Sequence, residues 1–119
     1  MKTIVDKYQR EPFVWGKTDC CRFVCECVES VTGRDLASKF TWHDHASAKE
    51  LVGSFGSLYN LVAHELGQPG GDHKDGDVCL TTYLGEELLG VVYGEKGLFR
   101  TEQGIASMPM ASILYCWST

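Results

Sequence analysis

The sequence predicts an α+β fold in which N-terminal helices pack on a C-terminal antiparallel sheet. Three observations lead there. Apolar residues recur at three-four spacing between helix start and stop residues only as far as Gly67. From Asp77 onward, short runs rich in β-branched and aromatic residues alternate with glycine-bearing turns. Finally, 119 residues with 44% hydrophobic and 23% charged side chains suit one domain over 1–119, because two halves of this chain would each be too small for a secure core.

Ile4 to Arg10 reads as a short helix or extended lead-in, ended at Glu11 because the residue before Pro12 is pushed out of the α region. Cys20, Phe23, Val24, Cys27, Val28 and Val31 then fall on one helical stripe, with Arg22, Glu26 and Glu29 opposite. With Thr18 as N-cap and Gly33 just past the end, this is a helix over about 19 to 32. Ser47 and Glu50 match a capping box and start a second helix near Ala48, running to Phe55. Ser57 caps a third, which runs to Leu66 and stops at Gly67. QPGGDHKDG, Gln68 to Gly76, is turn material. Strands are expected at 77–83, 88–93, 98–101 and 113–117, with turns at 84–86 and 94–97. Glu86 and Glu87 therefore sit side by side in a hairpin turn and form no carboxylate pair.

Charge and hydropathy exclude several functions. Eleven basic and sixteen acidic residues are interspersed, for a formal charge of −5, which is no footprint for nucleic acid. No segment approaches the roughly 18 apolar residues of a membrane span, and MKTIVDKYQREPF lacks a leader's apolar run, so a cytosolic, non-inserted chain is expected. In that compartment its six cysteines stay reduced. GxGxxG and Walker patterns are absent, and no cofactor is expected.

Four of the cysteines stand in PFVWGKTDCCRFVCECVESVTGRD, where three readings compete. Cys20 in a first helical turn would have its thiolate stabilised by free N–H groups and the helix dipole, and its place on the apolar stripe would turn it toward a base on the sheet. Cys20 and Cys27 also share a face with Phe23 and Val24, and free cysteine is commonly just a small core residue. Cys21 and Cys25 could share a metal with Cys79, Cys116 or a histidine, but no CxxC knuckle supports that, and no metal is expected. Of the histidines, His43 and His45 read as a solvated loop, His64 suits a helix C-terminus, and His73 lies in a turn before the first strand.

The run PFVWGKTDCCRFV resembles the motif of the NlpC-type cell-wall hydrolases, in which an aromatic-x-x-Gly turn leads to Asp-Cys at the start of a helix in a papain-like fold. Gly76-Asp77-Val78 is similar to the Gly-Asp-Leu/Val that opens their first strand. LLGVVYG, Leu88 to Gly94, is similar to their His-Val-Gly-Ile-Tyr-x-Gly strand. WGxxDCCxFVxxxVxxxTGRD is more similar still to a small phage-encoded branch found among tail genes. The resemblance gives Cys20 the nucleophile's position and Gly90 that of the strand glycine. It puts Leu88 where the catalytic His belongs, Phe13 where a Tyr is usual, and Cys21-Arg22 in place of Ser-Gly. An aliphatic side chain can neither take the thiol proton nor give one to a leaving amine.

The resemblance thus implies a degenerate cysteine hydrolase that serves as a structural or assembly module in a phage tail. It would be assembled in the host cytoplasm, would contact other tail proteins, and would touch peptidoglycan as its further partner. Phe13, Trp15, Asp19 and an exposed Trp42, or the strand edges, are its candidate contacts. The alternative is an active thiol hydrolase cutting peptide or amide bonds of peptidoglycan, with Cys20 as nucleophile and His73 as base.

Overall fold

Residues Lys2–Arg10 form helix α1, and Glu11 leaves it with an extended backbone (φ −85°, ψ 146°), as the following Pro12 requires. Helix α2 spans Cys20–Thr32; its N-cap is Asp19, whose side chain accepts the Arg22 N–H, and it ends at Gly33 with φ 76°. The cap is one residue later than expected. Thr18 is occupied elsewhere: its hydroxyl accepts from the Val14 N–H at 2.8 Å and donates to the Pro12 carbonyl at 2.6 Å, which closes the turn before the helix. Helix α3 (His45–Phe55) also starts earlier than expected. Asp44 is its N-cap and Ser47 the reciprocal partner, so Ser47 closes the capping box from the third helical position instead of opening one. Helix α4 (Leu58–Leu66) is capped by Ser57 and stopped at Gly67, as expected.

In this computed structural model, which describes residues 1–70 and 73–119, the C-terminal part is one five-stranded antiparallel sheet. Strands β1 (Val78–Tyr83), β2 (Glu86–Tyr93), β3 (Lys96–Thr101), β4 (Gly104–Pro109) and β5 (Tyr115–Trp117) lie in the order β4-β3-β2-β1-β5. Short 3-10 turns occupy Ala37–Lys39 and Met110–Ser112. The chain is therefore α+β, helices first. Of the turn expected over Gln68 to Gly76, residues 71 and 72 lie outside the described residues.

Two expectations about the sheet need correction. The hairpin turns are only two residues long, Leu84-Gly85 (φ 50° and 81°) and Gly94-Glu95 (φ 60° and 65°), the left-handed geometry that matches strand twist. Glu86 and Glu87 consequently belong to β2. The Glu87 carboxylate accepts the N–H groups of Leu58 and Tyr59, which places an anion on the free donors of the α4 N-terminus. Strand β4 was not expected, because GIASMP has little β propensity; it pairs with β3 along its whole length and carries its proline at the sheet edge.

The sheet has two covered faces. Against the helices, Val78, Leu80, Leu89, Val91 and Leu98 pack with Tyr8, Phe23, Val24, Cys27, Val28 and Trp117. On the outer face, Cys79, Val92, Phe99 and Cys116 form a second cluster, covered by Met108, Met110 and Ile113, with Leu88 at its margin. Gly90 serves that outer cluster: a Cβ there would run into the Leu98 carbonyl oxygen and the Phe99 ring.

Arg100 ties the two halves of the chain together. It is 4% exposed, on β3, and its guanidinium donates to the carbonyls of Tyr8 (2.7 Å), Glu11 (2.7 Å) and Thr18 (2.9 Å). Those carbonyls include the free C-terminal end of α1, where a cation is electrostatically suited. Within the helical half, Lys7 and Tyr8 tie α1 to α2 by donating to the Glu26 carboxylate. Replacing Arg100 with Met would leave the buried carbonyls of Tyr8 and Thr18, and the part-buried one of Glu11, without donors, so Arg100→Met should cost about 3 kcal/mol or more in urea unfolding. A loss under about 1 kcal/mol would contradict this anchoring role.

Candidate thiol site

The Trp-Gly turn before α2 is shaped by close packing. Gly16 has φ 84°, and a Cβ there would overlap the His43 backbone at 2.7 Å, so the turn and the loop ahead of α3 meet without room for a side chain. Asp19 joins the two. It is fully buried, and its carboxylate accepts from Gly16 N–H (2.6 Å), Trp42 Nε1 (2.7 Å) and Arg22 N–H (2.9 Å). Arg22 completes the assembly: its guanidinium lies 3.9 Å from the Trp42 ring centre and its Nε donates to the Gly16 carbonyl. Trp42 is only 5% exposed, so the expected surface contact is an interior group held by Asp19. Asp19 is likewise out of a partner's reach.

This assembly presents Cys20 as the first residue of α2, half-buried. The neighbouring Cys21 thiol, helped by the backbone N–H groups of Cys21 and Cys20, draws the Cys20 thiol below its ordinary value, and burial and the Asp19 charge oppose the shift. The Cys20 sulfur beside it, with burial, pushes Cys21 well up. Burial is the main cause that pushes Cys25, Cys27 and Cys79 up to about 12.

Cys20, Cys21 and Cys25 line one wall of a largely apolar cavity of about 500 Å³ between α2, α3, α4 and the sheet. Phe40, Val52, Val62 and Leu66 form much of the remainder, and Leu89 contributes from β2. Trp15 and His45 stand together at this cavity with stacked rings, 4.6 Å apart and 14° from parallel. Phe13 packs edge-on against Trp15 at 5.1 Å, while the Arg100 guanidinium lies 5.5 Å from its ring.

Over residues 1–119 the chain matches the family described as a domain of unknown function, DUF6950. The chain belongs to that family. No curated protein and no solved structure matches it.

In this DUF6950 chain the expected base does not meet the expected nucleophile. His73 borders a separate small recess with Met110, Ile113 and Cys116, on the outer face of the sheet, whereas Cys20 lines the cavity on the helix side. Leu88 also packs on the outer cluster, because side chains alternate along β2; the neighbour turned to the Cys20 cavity is Leu89, equally aliphatic. The histidine that shares the cavity is His45, read from sequence as a solvated loop residue. It is exposed at the start of α3 and, among the described residues, makes no hydrogen bond to Cys20. Its signal was faint: only the stacking on Trp15 brings it in. Cys79 and Cys116 lie on the outer face and cannot complete a metal shell with Cys21 and Cys25; among the described residues no three His, Cys, Asp or Glu side chains converge on a metal-sized site.

Two outcomes follow from this geometry. Alkylation tracks the thiolate, so the Cys20 rate should reach half its maximum at a lower pH than that of Cys25, and Cys21→Ala should move the Cys20 profile to higher pH. An unmoved profile, read cysteine by cysteine by mass spectrometry, would show that Cys21 does not act on Cys20. Asp19→Asn keeps the shape but sets an NH₂ group against N–H donors; it should cost about 2 kcal/mol or more in thermal unfolding.

Proposed function

We propose that this chain is a structural or assembly module of a phage tail, built on a papain-like fold and without hydrolytic activity. One observation carries this reading: the β2 position turned to the Cys20 cavity is Leu89, and the histidine ahead of β1, His73, is on the other side of the sheet. Cleaving an amide requires a proton for the departing amine, and a thiol beside aliphatic side chains has none to give. The likeness of the Trp15 to Asp35 segment to phage tail-associated chains supports the setting. Docking on other tail proteins would use the sheet, since the large exposed apolar side chains Tyr83, Leu84, Leu114 and Tyr115 gather at the end of β1 and at the edge strand β5. No helix among the described residues is long and apolar enough to cross a membrane.

A second reading, a peptidoglycan peptidase or amidase, is favoured by one observation. His45 stands at the same cavity as Cys20, and catalytic contacts are often loose before substrate binds.

Under the first reading, purified virions contain the chain, its Cys20→Ser form assembles normally, and the protein releases no fragments from muropeptides. Absence of the chain from particles would remove the tail assignment. Muropeptide turnover that disappears in both Cys20→Ser and His45→Ala would establish the second reading in its place.

A further inference from the structure

Three features of the thiol site do not fit a simple relic. The cavity beside Cys20 is about 500 Å³, within the range of about 300–1,000 Å³ typical of small-molecule sites. Its lining is aliphatic and aromatic over most of its surface, through Val52, Leu61, Val62, Leu66, Leu89 and Phe40. The Cys20 sulfur, the first side chain of α2, stands at one wall with the Cys21 thiol beside it. A peptide backbone, with an amide donor and acceptor at every residue, finds few partners in such a lining. An acyl chain suits all of it.

The missing acid points the same way. An amine leaves an acyl group only if it is protonated, whereas the thiol of a thioester leaves unaided as a thiolate, since its pKa of about 8.5 is close to ambient pH. A site with a thiolate and no proton donor for the leaving group can therefore exchange thioesters although it cannot cleave amides.

We propose that Cys20 accepts an acyl group from a long-chain acyl thioester, and that the cavity between α2, α3, α4 and the sheet holds the chain. The Cys20 sulfur, as thiolate, adds to the thioester carbonyl carbon and forms the new C–S bond. The free N–H groups of Cys20 and Cys21 at the helix start are available to the developing oxyanion. The intermediate collapses by breaking the C–S bond to the donor, whose sulfur departs as a thiolate and takes a proton from solvent. No oxidation occurs, and the products are S-acyl-Cys20 and the free donor thiol. Because no side chain hydrogen-bonded to Cys20 is a base for water, the adduct accumulates one to a chain instead of turning over. This extends the non-hydrolytic reading of the same site without requiring the tail assignment.

The test is intact-mass spectrometry of the full chain mixed with decanoyl-coenzyme A or acetyl-coenzyme A at equal concentration. The expected result is a single decanoyl adduct, released by hydroxylamine, mapped to Cys20, absent in Cys20→Ser, and formed at least tenfold faster than the acetyl adduct. Val52→Trp, which fills the cavity from the half-buried face of α3, should reduce that preference to near unity while acetyl transfer persists. Equal decanoyl and acetyl rates in the unaltered chain, an adduct that forms as fast in urea-unfolded protein, or labelling at a cysteine other than Cys20 would overturn the proposal, as would no adduct at all. None of these outcomes depends on muropeptide cleavage or virion content, so this inference and the tail reading fail separately.

Discussion

The buried carboxylate of Asp19 is the constraint on which the site depends. Removing a carboxylate from water costs several kcal/mol, and it is tolerated here because three N–H donors from three separate segments converge on it. Charge-assisted bonds of this kind contribute about 1.5–3 kcal/mol each, so together they offset the desolvation only if all three are made. One group thereby fixes the Trp-Gly turn, the first turn of α2 and the Trp42 loop at once. The position of Cys20 follows from that fixation.

Arg100 does for the whole chain what Asp19 does for the site. It is buried without a carboxylate partner among its hydrogen bonds, and three of its five donors are spent on backbone carbonyls at the end of α1 and in the α1–α2 connection. Carbonyl oxygens at a helix end carry enough negative character to hold a guanidinium, and its fork geometry reaches three of them at once. The sheet and the helical half are thus joined by polar contacts as well as by the core between them, and the register of β3 is locked to the start of α2.

The same alternation that builds the sheet separates the groups a hydrolase would need together. Cys20 belongs to the helix side, and both Leu88 and His73 belong to the outer side. What the helix side keeps together is the Cys20 and Cys21 thiols, the stacked Trp15 and His45 rings and a largely apolar hollow.

Much of this was legible in the chain itself. The α2 stripe, its glycine stop, the Ser57 cap and the order of helices before strands follow from local spacing and capping chemistry, which act over a few residues and need no tertiary partner. Local rules misassigned two caps because Thr18 and Ser47 each had a better use in a turn or a reciprocal pair, and they missed β4 because that strand exists by virtue of its pairing with β3. The burial of Trp42, the anchoring by Arg100 and the meeting of Trp15 with His45 depend on segments far apart in sequence. Only the tertiary structure decided which face of the sheet each strand residue took, and hence that Leu89 and not Leu88 is turned to the Cys20 cavity, because a one-residue change of register reverses every side chain while leaving the composition of the strand unchanged.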